Sequence, residues 1–238
     1  MIITVAHQKG GTGKSTIAVN VAVAMHADLL DLDKQHSSII FNYNRKQAGL
    51  PELTCFTVAE SRCRFREQTP VPQDNLDDLM QDYAGVPGKD LIIDCGGFDS
   101  QNNRGALCYA DYIVTPLAPS GTEIYGLQMF GEILVETGQM LDTTLKTHVL
   151  INNADLRSRQ RIRDLQEFVQ SRPDIYTLCQ TIVGSRQAFK TAYEEGKSVT
   201  ELYEAATAKK EKRRYQYSAQ ELDSLVQEIR STLPVKEA

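Results

Sequence analysis

The chain has 238 residues, 41% hydrophobic and 24% charged, which is enough for one substantial core, and its net charge of −5 excludes a uniformly basic surface while leaving room for local basic patches. No apolar run approaches the ~18 residues of a membrane span, and a strand-like segment from Ile2 leaves no space for a leader, so a cytoplasmic protein is expected. Cys55, Cys63, Cys95, Cys108 and Cys179 are odd in number with no C-x-x-C pair, and His7, His26, His36 and His148 lack ligand spacing; this suggests neither a disulfide framework nor a zinc site, and the cysteines read as reduced, mostly buried thiols.

In chain order, Met1 to Ala6 has the β-branched content of a strand buried on both faces, and Ile17 to Met25 reads as a buried helix. Between them lies Lys9-Gly10-Gly11-Thr12-Gly13-Lys14-Ser15-Thr16. Strand, glycine-rich turn and helix in this order make a phosphate-binding loop. Closely spaced glycines turn backbone N–H groups around phosphate oxygens, and the helix offers its positive end to the same anion. Gly10, Gly11, Thr12, Gly13, Lys14, Ser15 and Thr16 are therefore the expected nucleotide cradle, with Lys14 on the β- and γ-phosphates and Ser15 on Mg²⁺. The general pattern G-x-x-x-x-G-K-[ST] asks for glycine where this chain has Gln8, and the chain adds a second lysine, Lys9.

Ala27 to Asp33 reads as a short strand whose Asp31 and Asp33 point to opposite faces, so only one touches the nucleotide directly. Residues 37–48 look helical, anchored by Ile39, Ile40 and Phe41. The stretch 50–72, with Pro51, Pro70, Pro72 and the arginines Arg62, Arg64 and Arg66, holds one short strand within Leu53 to Val58. Asn75 to Tyr83 is an amphipathic helix ended by the turn Gly85-Val86-Pro87-Gly88. Asp90 to Asp94 is an apolar strand closing on a carboxylate, the Walker B arrangement. Asp94 would be costly to bury alone, and Mg²⁺ is its natural partner. Tyr112 to Pro116 and Thr147 to Asn152 are further strands around a helix from Glu123 to Gly138.

This alternation predicts an α/β fold with a doubly wound, mostly parallel sheet and helices on both faces. One domain is expected over residues 1–238, with a helical C-terminal segment from about 198 to 233. Ligands of such sheets bind at the carboxyl ends of the strands, where the loop, Asp31/Asp33, Asp94 and Asn152/Asn153 all fall.

The loop, Leu30-Asp31-Leu32-Asp33-Lys34-Gln35 and Leu91-Ile92-Ile93-Asp94 together resemble the deviant Walker A ATPases of the ParA/MinD superfamily, most of all small plasmid-type ParA partition ATPases. The late segment Ile182-Val183, Arg186, Ala188, Ala192, Gly196 and Ser198-Val199-Thr200-Glu201-Leu202 is similar too. The resemblance implies a P-loop ATPase using ATP and Mg²⁺ with weak, partner-stimulated hydrolysis. It implies that Lys9 reaches phosphates of a partner subunit in an ATP-sandwich homodimer, alongside Lys14 and Asp33 as catalytic residues. Asp33 matches the aspartate that positions the attacking water, Asp31 the one nearer the metal, and Asn152 or Asn153 the amide reading adenine. Ser15, Asp31 and Asp94 form the implied metal set. Two departures stand out: Cys95-Gly96-Gly97-Phe98-Asp99 replaces a proline-rich turn, and Lys34 stands where proline is usual. With no helix-turn-helix before the first strand, the chain resembles members that do not read an operator.

The same resemblance implies a cytoplasmic, nucleoid-associated protein that binds non-specific DNA and drives plasmid or chromosome partition with a ParB-like partner. Arg157, Arg159, Arg161 and Arg163, and the run Lys209, Lys210, Lys212, Arg213 and Arg214, supply charge for phosphate contacts, or else form solvated helix faces. The second run sets five cations against one acid, Glu211. Alternatives are a MinD-like or other cargo-positioning ATPase and an ATPase assisting conjugative DNA transfer. A membrane helix at 219–233 is disfavoured because Glu221, Asp223 and Glu228 face a single Arg230, wrong for anionic lipid, so packing on the body is expected. Cys95 and Cys108 have no second feature supporting a cluster of the nitrogenase iron protein type, and Tyr215 and Tyr217 are too few for the tyrosine cluster of bacterial tyrosine kinases.

Overall fold

The structure, a computed structural model, describes residues 1–58, 76–84 and 89–232. Arg62, Cys63, Arg64, Arg66, Pro70, Pro72, Asn75, the turn at 85–88 and Leu233 lie outside the described residues. The first half runs β1 (Ile2–Val5), α1 (Lys14–Met25), β2 (Asp28–Asp31), α2 (Ser37–Gln47), β3 (Cys55–Phe56), α3 (Leu76–Ala84), β4 (Leu91–Asp94) and α4 (Gln101–Tyr109). The second half runs β5 (Tyr112–Leu117), α5 (Gly121–Met140), β6 (Thr147–Ala154), α6 (Arg159–Gln170), β7 (Tyr176–Gly184), α7 (Gln187–Glu194), α8 (Val199–Ala205) and α9 (Lys209–Thr232).

Among the described residues the strands form one sheet in the order β3-β2-β4-β1-β5-β6-β7, with every pairing parallel. Alternate strand residues divide between two cores. Ile3, Val5, Leu29, Ile92, Val114 and Leu150 pack with α1, α2, α7, α8 and α9. Leu30, Leu91, Ile93, Ile113, Val149 and Ile151 pack with α3, α4, α5 and α6. The expected α/β architecture with helices on both faces is present.

Several local expectations change. β2 ends at Asp31, so Asp33 sits in the following loop and the two carboxylates are not opposite-facing strand residues. In α2, Phe41 is buried but Ile40 is half exposed; the inward face is completed by Arg45, whose guanidinium forks onto Glu201 and also donates to the Gly196 carbonyl. Cys55, Cys95 and Cys179 are buried, whereas Cys108 is exposed. α4 has no apolar period to announce it: Ser100 caps it by accepting the Asn103 N–H at 3.1 Å, and only Asn103, Ala106 and Leu107 are buried.

At the C-terminus, Leu222, Leu225, Val226 and Ile229 of α9 are buried in the core, as expected for packing on the body. Glu221 and Glu228 do not form a solvated face. Glu228 accepts the N–H groups of Gln180 and Thr181 at 2.7 and 3.0 Å, and Glu221 accepts that of Gly184 at 3.2 Å. They cap the open edge of β7, where unpaired N–H groups would otherwise invite another strand.

Candidate functional site

The strand register aligns the tips of three strands: Val5 of β1 pairs with Asp94 of β4, and Asp94 with Asp31 of β2. The glycine-rich loop therefore leaves β1 beside both carboxylates. Gly11 and Gly13 hold φ of 78° and 93°, a left-handed backbone open to glycine. A Cβ on Gly13 would also lie 2.3 Å from Asn152 Nδ2. Asn152, buried at the end of β6, donates to the Thr12 carbonyl at 2.9 Å and so fixes the loop from behind, whereas Asn153 is exposed with φ of 50°. Lys14 is buried and donates to the Lys9 carbonyl at 3.0 Å. Burial pulls its pKa down, against the opposing charges of Asp94 and Asp33.

Asp94 is fully buried. Its Oδ2 accepts the Ser38 hydroxyl at 2.7 Å, while Oδ1 has no hydrogen-bond partner among the described residues. Burial and then the nearby charge of Asp31 push its pKa up to about 7, with the Ser38 and Ser15 hydroxyls and Lys14 pulling the other way. Asp31 is spent on backbone: its Oδ1 accepts Asp33 N–H at 2.9 Å, and its Oδ2 accepts Ser38 and Ile39 N–H at 3.0 and 3.2 Å. Ser38 thus bridges both carboxylates, and with them the start of α2, a role no sequence motif signalled. Asp33, partly exposed, accepts the Gln35 N–H at 3.0 Å.

A cleft of about 600 Å³ opens over Gly10, Gly11, Gly13, Lys14, Ser15, Thr16 and Asp33. This is the size of a small-molecule site. Its opposite wall is α7, through Phe189, Lys190 and Tyr193, which sequence reasoning did not single out. Tyr193 donates to the Ser37 carbonyl at 2.6 Å and ties that wall to α2.

Lys9 does not line this cleft. Its side chain is 41% exposed and pairs with Glu123 in the first turn of α5. The two departures noted in the sequence pack on each other, with the Lys34 ammonium 5.0 Å from the centroid of the Phe98 ring. Gly97 approaches the loop so closely that a Cβ there would lie 2.8 Å from Gly10 N.

Arg157, Arg159, Arg161 and Arg163 are exposed in the loop after β6 and along α6. Lys209, Lys210, Lys212, Arg213 and Arg214 are exposed on the first turns of α9. Because α9 places Glu221 at Gly184 and Glu228 at Gln180, it runs antiparallel to β7 and lifts its basic start beyond the carboxyl ends of the strands. The β6 and β7 ends adjoin through the Ser185 N–H to Ala154 carbonyl bond at 2.8 Å, so both basic groups flank the edge of the sheet that carries the cleft.

The family model for the ATPase MipZ matches residues 1–175. Among solved structures the fold is similar to a plasmid partition protein of Borrelia burgdorferi bound to AMPPNP, with a TM-score of 0.61 and 16% identity, covering 95% of this chain and 98% of that one. It is similar to apo McdA of Cyanothece at a TM-score of 0.66 and 17% identity, covering 96% and 98%. It is also similar to the septum site-determining protein MinD of Pyrococcus horikoshii complexed with Mg-ADP, at 0.62 and 14%, covering 96% and 95%. No curated protein matches the chain by sequence.

Proposed function

The chain belongs to the MipZ ATPase family, in the ParA/MinD superfamily of partition and positioning ATPases, and we propose that it is a Mg²⁺-dependent DNA-partition motor that forms an ATP-sandwich dimer. Lys14 holds the β- and γ-phosphates, Lys9 reaches those of the partner subunit, and Asp33 positions the attacking water. A cation delivered in trans stabilises charge developing on the transferred phosphoryl group. Asn152 or Asn153, near the end of β6, reads the adenine edge.

The observation that carries this reading is the position of Lys9. A second loop lysine serving its own nucleotide would line the cleft; this one stands outside it, on a partly exposed side chain that pairs with Glu123 among the described residues.

The residues fit Mg²⁺. Asp94 Oδ1 is a buried carboxylate oxygen with no hydrogen-bond partner among the described residues, and the Ser15 side chain acts on the same carboxylate. Ser15 and Asp94 would hold the ion together with nucleotide oxygens; it would supply charge neutralisation of the phosphates. Asp31, whose oxygens already accept three backbone N–H groups, supports the site by ordering the loop that carries Asp33.

The basic residues around Arg157–Arg163 and Lys209–Arg214 bind duplex DNA through phosphates without reading sequence, a ParB-like partner stimulates hydrolysis and release, and the protein acts on the nucleoid. A membrane-bound reading is disfavoured because the apolar face of α9 is already in the core, and no described helix is long and apolar enough to cross a bilayer. The test is sedimentation and DNA binding with ATP. Wild type is expected to dimerise and bind arbitrary duplex with a steep loss in salt, and charge reversal of Lys209, Lys210 and Arg213 to weaken binding. ATP-independent or salt-insensitive binding would reject the DNA role, and a Lys9→Ala protein that still dimerises would reject the trans role of Lys9.

A further inference from the structure

Between the exit of β1, the loop after β4 and helices α4 and α5 lies a small polar cluster outside the nucleotide cleft. Lys9 N–H donates to His7 Nδ1 at 3.0 Å. Burial, reinforced by the charges of Lys14 and Lys9, pulls the His7 pKa down to about 4, so the ring is neutral. A neutral imidazole whose Nδ1 accepts carries its proton on Nε2. That donor has no partner among the described residues.

Asn103 donates through Nδ2 to the carbonyls of Gly96 at 3.2 Å and Phe98 at 2.6 Å. These bonds set the orientation of the amide and leave its Oδ1 buried without a donor; Gln8 Oε1 is in the same position. His7 is 1% and Asn103 8% exposed. His7, Gln8 and Asn103 line one cavity of about 20 Å³. A single water needs ~10–15 Å³ by that measure.

We propose that this cavity is an internal water site, in which one water accepts the His7 Nε2–H and donates to Asn103 Oδ1 and Gln8 Oε1. The cluster asks for one acceptor and two donors, and water supplies both. An alkali or ammonium cation cannot accept from Nε2–H, and an anion cannot donate to two carbonyl oxygens. Any single direct bond between these side chains leaves an orphan acceptor. The water joins the segment leading into Lys9 to the residue that holds the Gly96–Phe98 loop. It also gives Gln8, which stands where the general loop pattern has glycine, a use that glycine could not serve.

The test needs neither nucleotide nor DNA, so its failure is separate from failure of the partition reading. A crystal structure of the apo protein at about 1.5 Å or better is expected to show one water within ~2.6–3.2 Å of all three atoms. Nitrogen-15 NMR is expected to show His7 as the Nε2–H tautomer with a cross-peak from that proton to a long-lived water. A Gln8→Leu substitution withdraws one acceptor and is expected to abolish that cross-peak. Three outcomes would each overturn the proposal: a Gln8 or Asn103 carbonyl swung directly onto Nε2 with no water, a His7 protonated on Nδ1, or a cross-peak unchanged in Gln8→Leu.

Discussion

Lys9 of the phosphate loop is ion-paired within its own chain to Glu123 at the start of α5, and the pair sits beside the cleft rather than in it. A lysine proposed to serve a partner subunit is thus held at home until something better competes for it. The pair is partly exposed on the Lys9 side, so the hold is worth about 1 kcal/mol at most. Because the dimer releases one such pair in each protomer, Glu123→Gln is expected to favour the ATP-bound dimer by up to about thirtyfold in dissociation constant, and Lys9→Ala to prevent it, both read by sedimentation. A Glu123→Gln protein that dimerises less well would show that Glu123 works within the dimer.

The buried Lys14 and the partly exposed Asp33 separate binding from hydrolysis. Lys14→Ala is expected to abolish nucleotide binding, because it removes the cation beneath the phosphates. Asp33→Ala is expected to keep binding and dimerisation and to stop turnover, measured by phosphate release. Normal hydrolysis by Asp33→Ala would sink its assigned role.

Ser38 donates its hydroxyl to Asp94 and its N–H to Asp31. Ser38→Ala removes the hydroxyl that donates to Asp94 Oδ2 and leaves Ser15 as the hydroxyl acting on that carboxylate, an expected loss of ~1–3 kcal/mol in the apo protein. If Mg²⁺ with nucleotide occupies Asp94, that loss shrinks in the loaded protein. Urea melts with and without Mg-nucleotide compare the two, and an equal loss in both would mean that Asp94 does not meet the metal.

His7 predicts a pH dependence. Its folded pKa, near 4, lies below the unfolded value of 6.5. Its neutral form is therefore no burden above pH 6.5, and stability falls as pH drops from 6.5 towards 4, by up to about 3 kcal/mol. Asp94, raised to about 7, pulls the opposite way, since protonation relieves its burial as pH falls. The His7 contribution is the difference between wild type and His7→Gln in urea melts at pH 7.5 and 5. Wild type is expected to lose more than the variant on acidification; equal losses would mean that His7 is not buried neutral.

Legibility followed the range of the interaction. The loop, the Asp94 strand end and the alternation of strands and helices were readable because each rests on consecutive residues whose side-chain period or φ demand is local. α4 gives no such signal, because a serine cap and three buried residues, Asn103, Ala106 and Leu107, make no apolar period. Asp31 and Asp33 were misread as a strand pair because nothing local says that β2 stops at Asp31, where its carboxylate turns to cap α2.

By itself, then, the sequence determined a nucleotide loop, a carboxylate beside it and a parallel sheet to hold both. Only the tertiary structure decided that Glu123 holds Lys9, that Ser38 bridges Asp31 and Asp94, that α7 walls the cleft, and that Lys34 covers Phe98. The physical reason is the strand order, which brings β2, β4, β1 and β5 side by side from segments far apart in the chain. Contacts made across that order depend on register and packing, and no period along the chain encodes them.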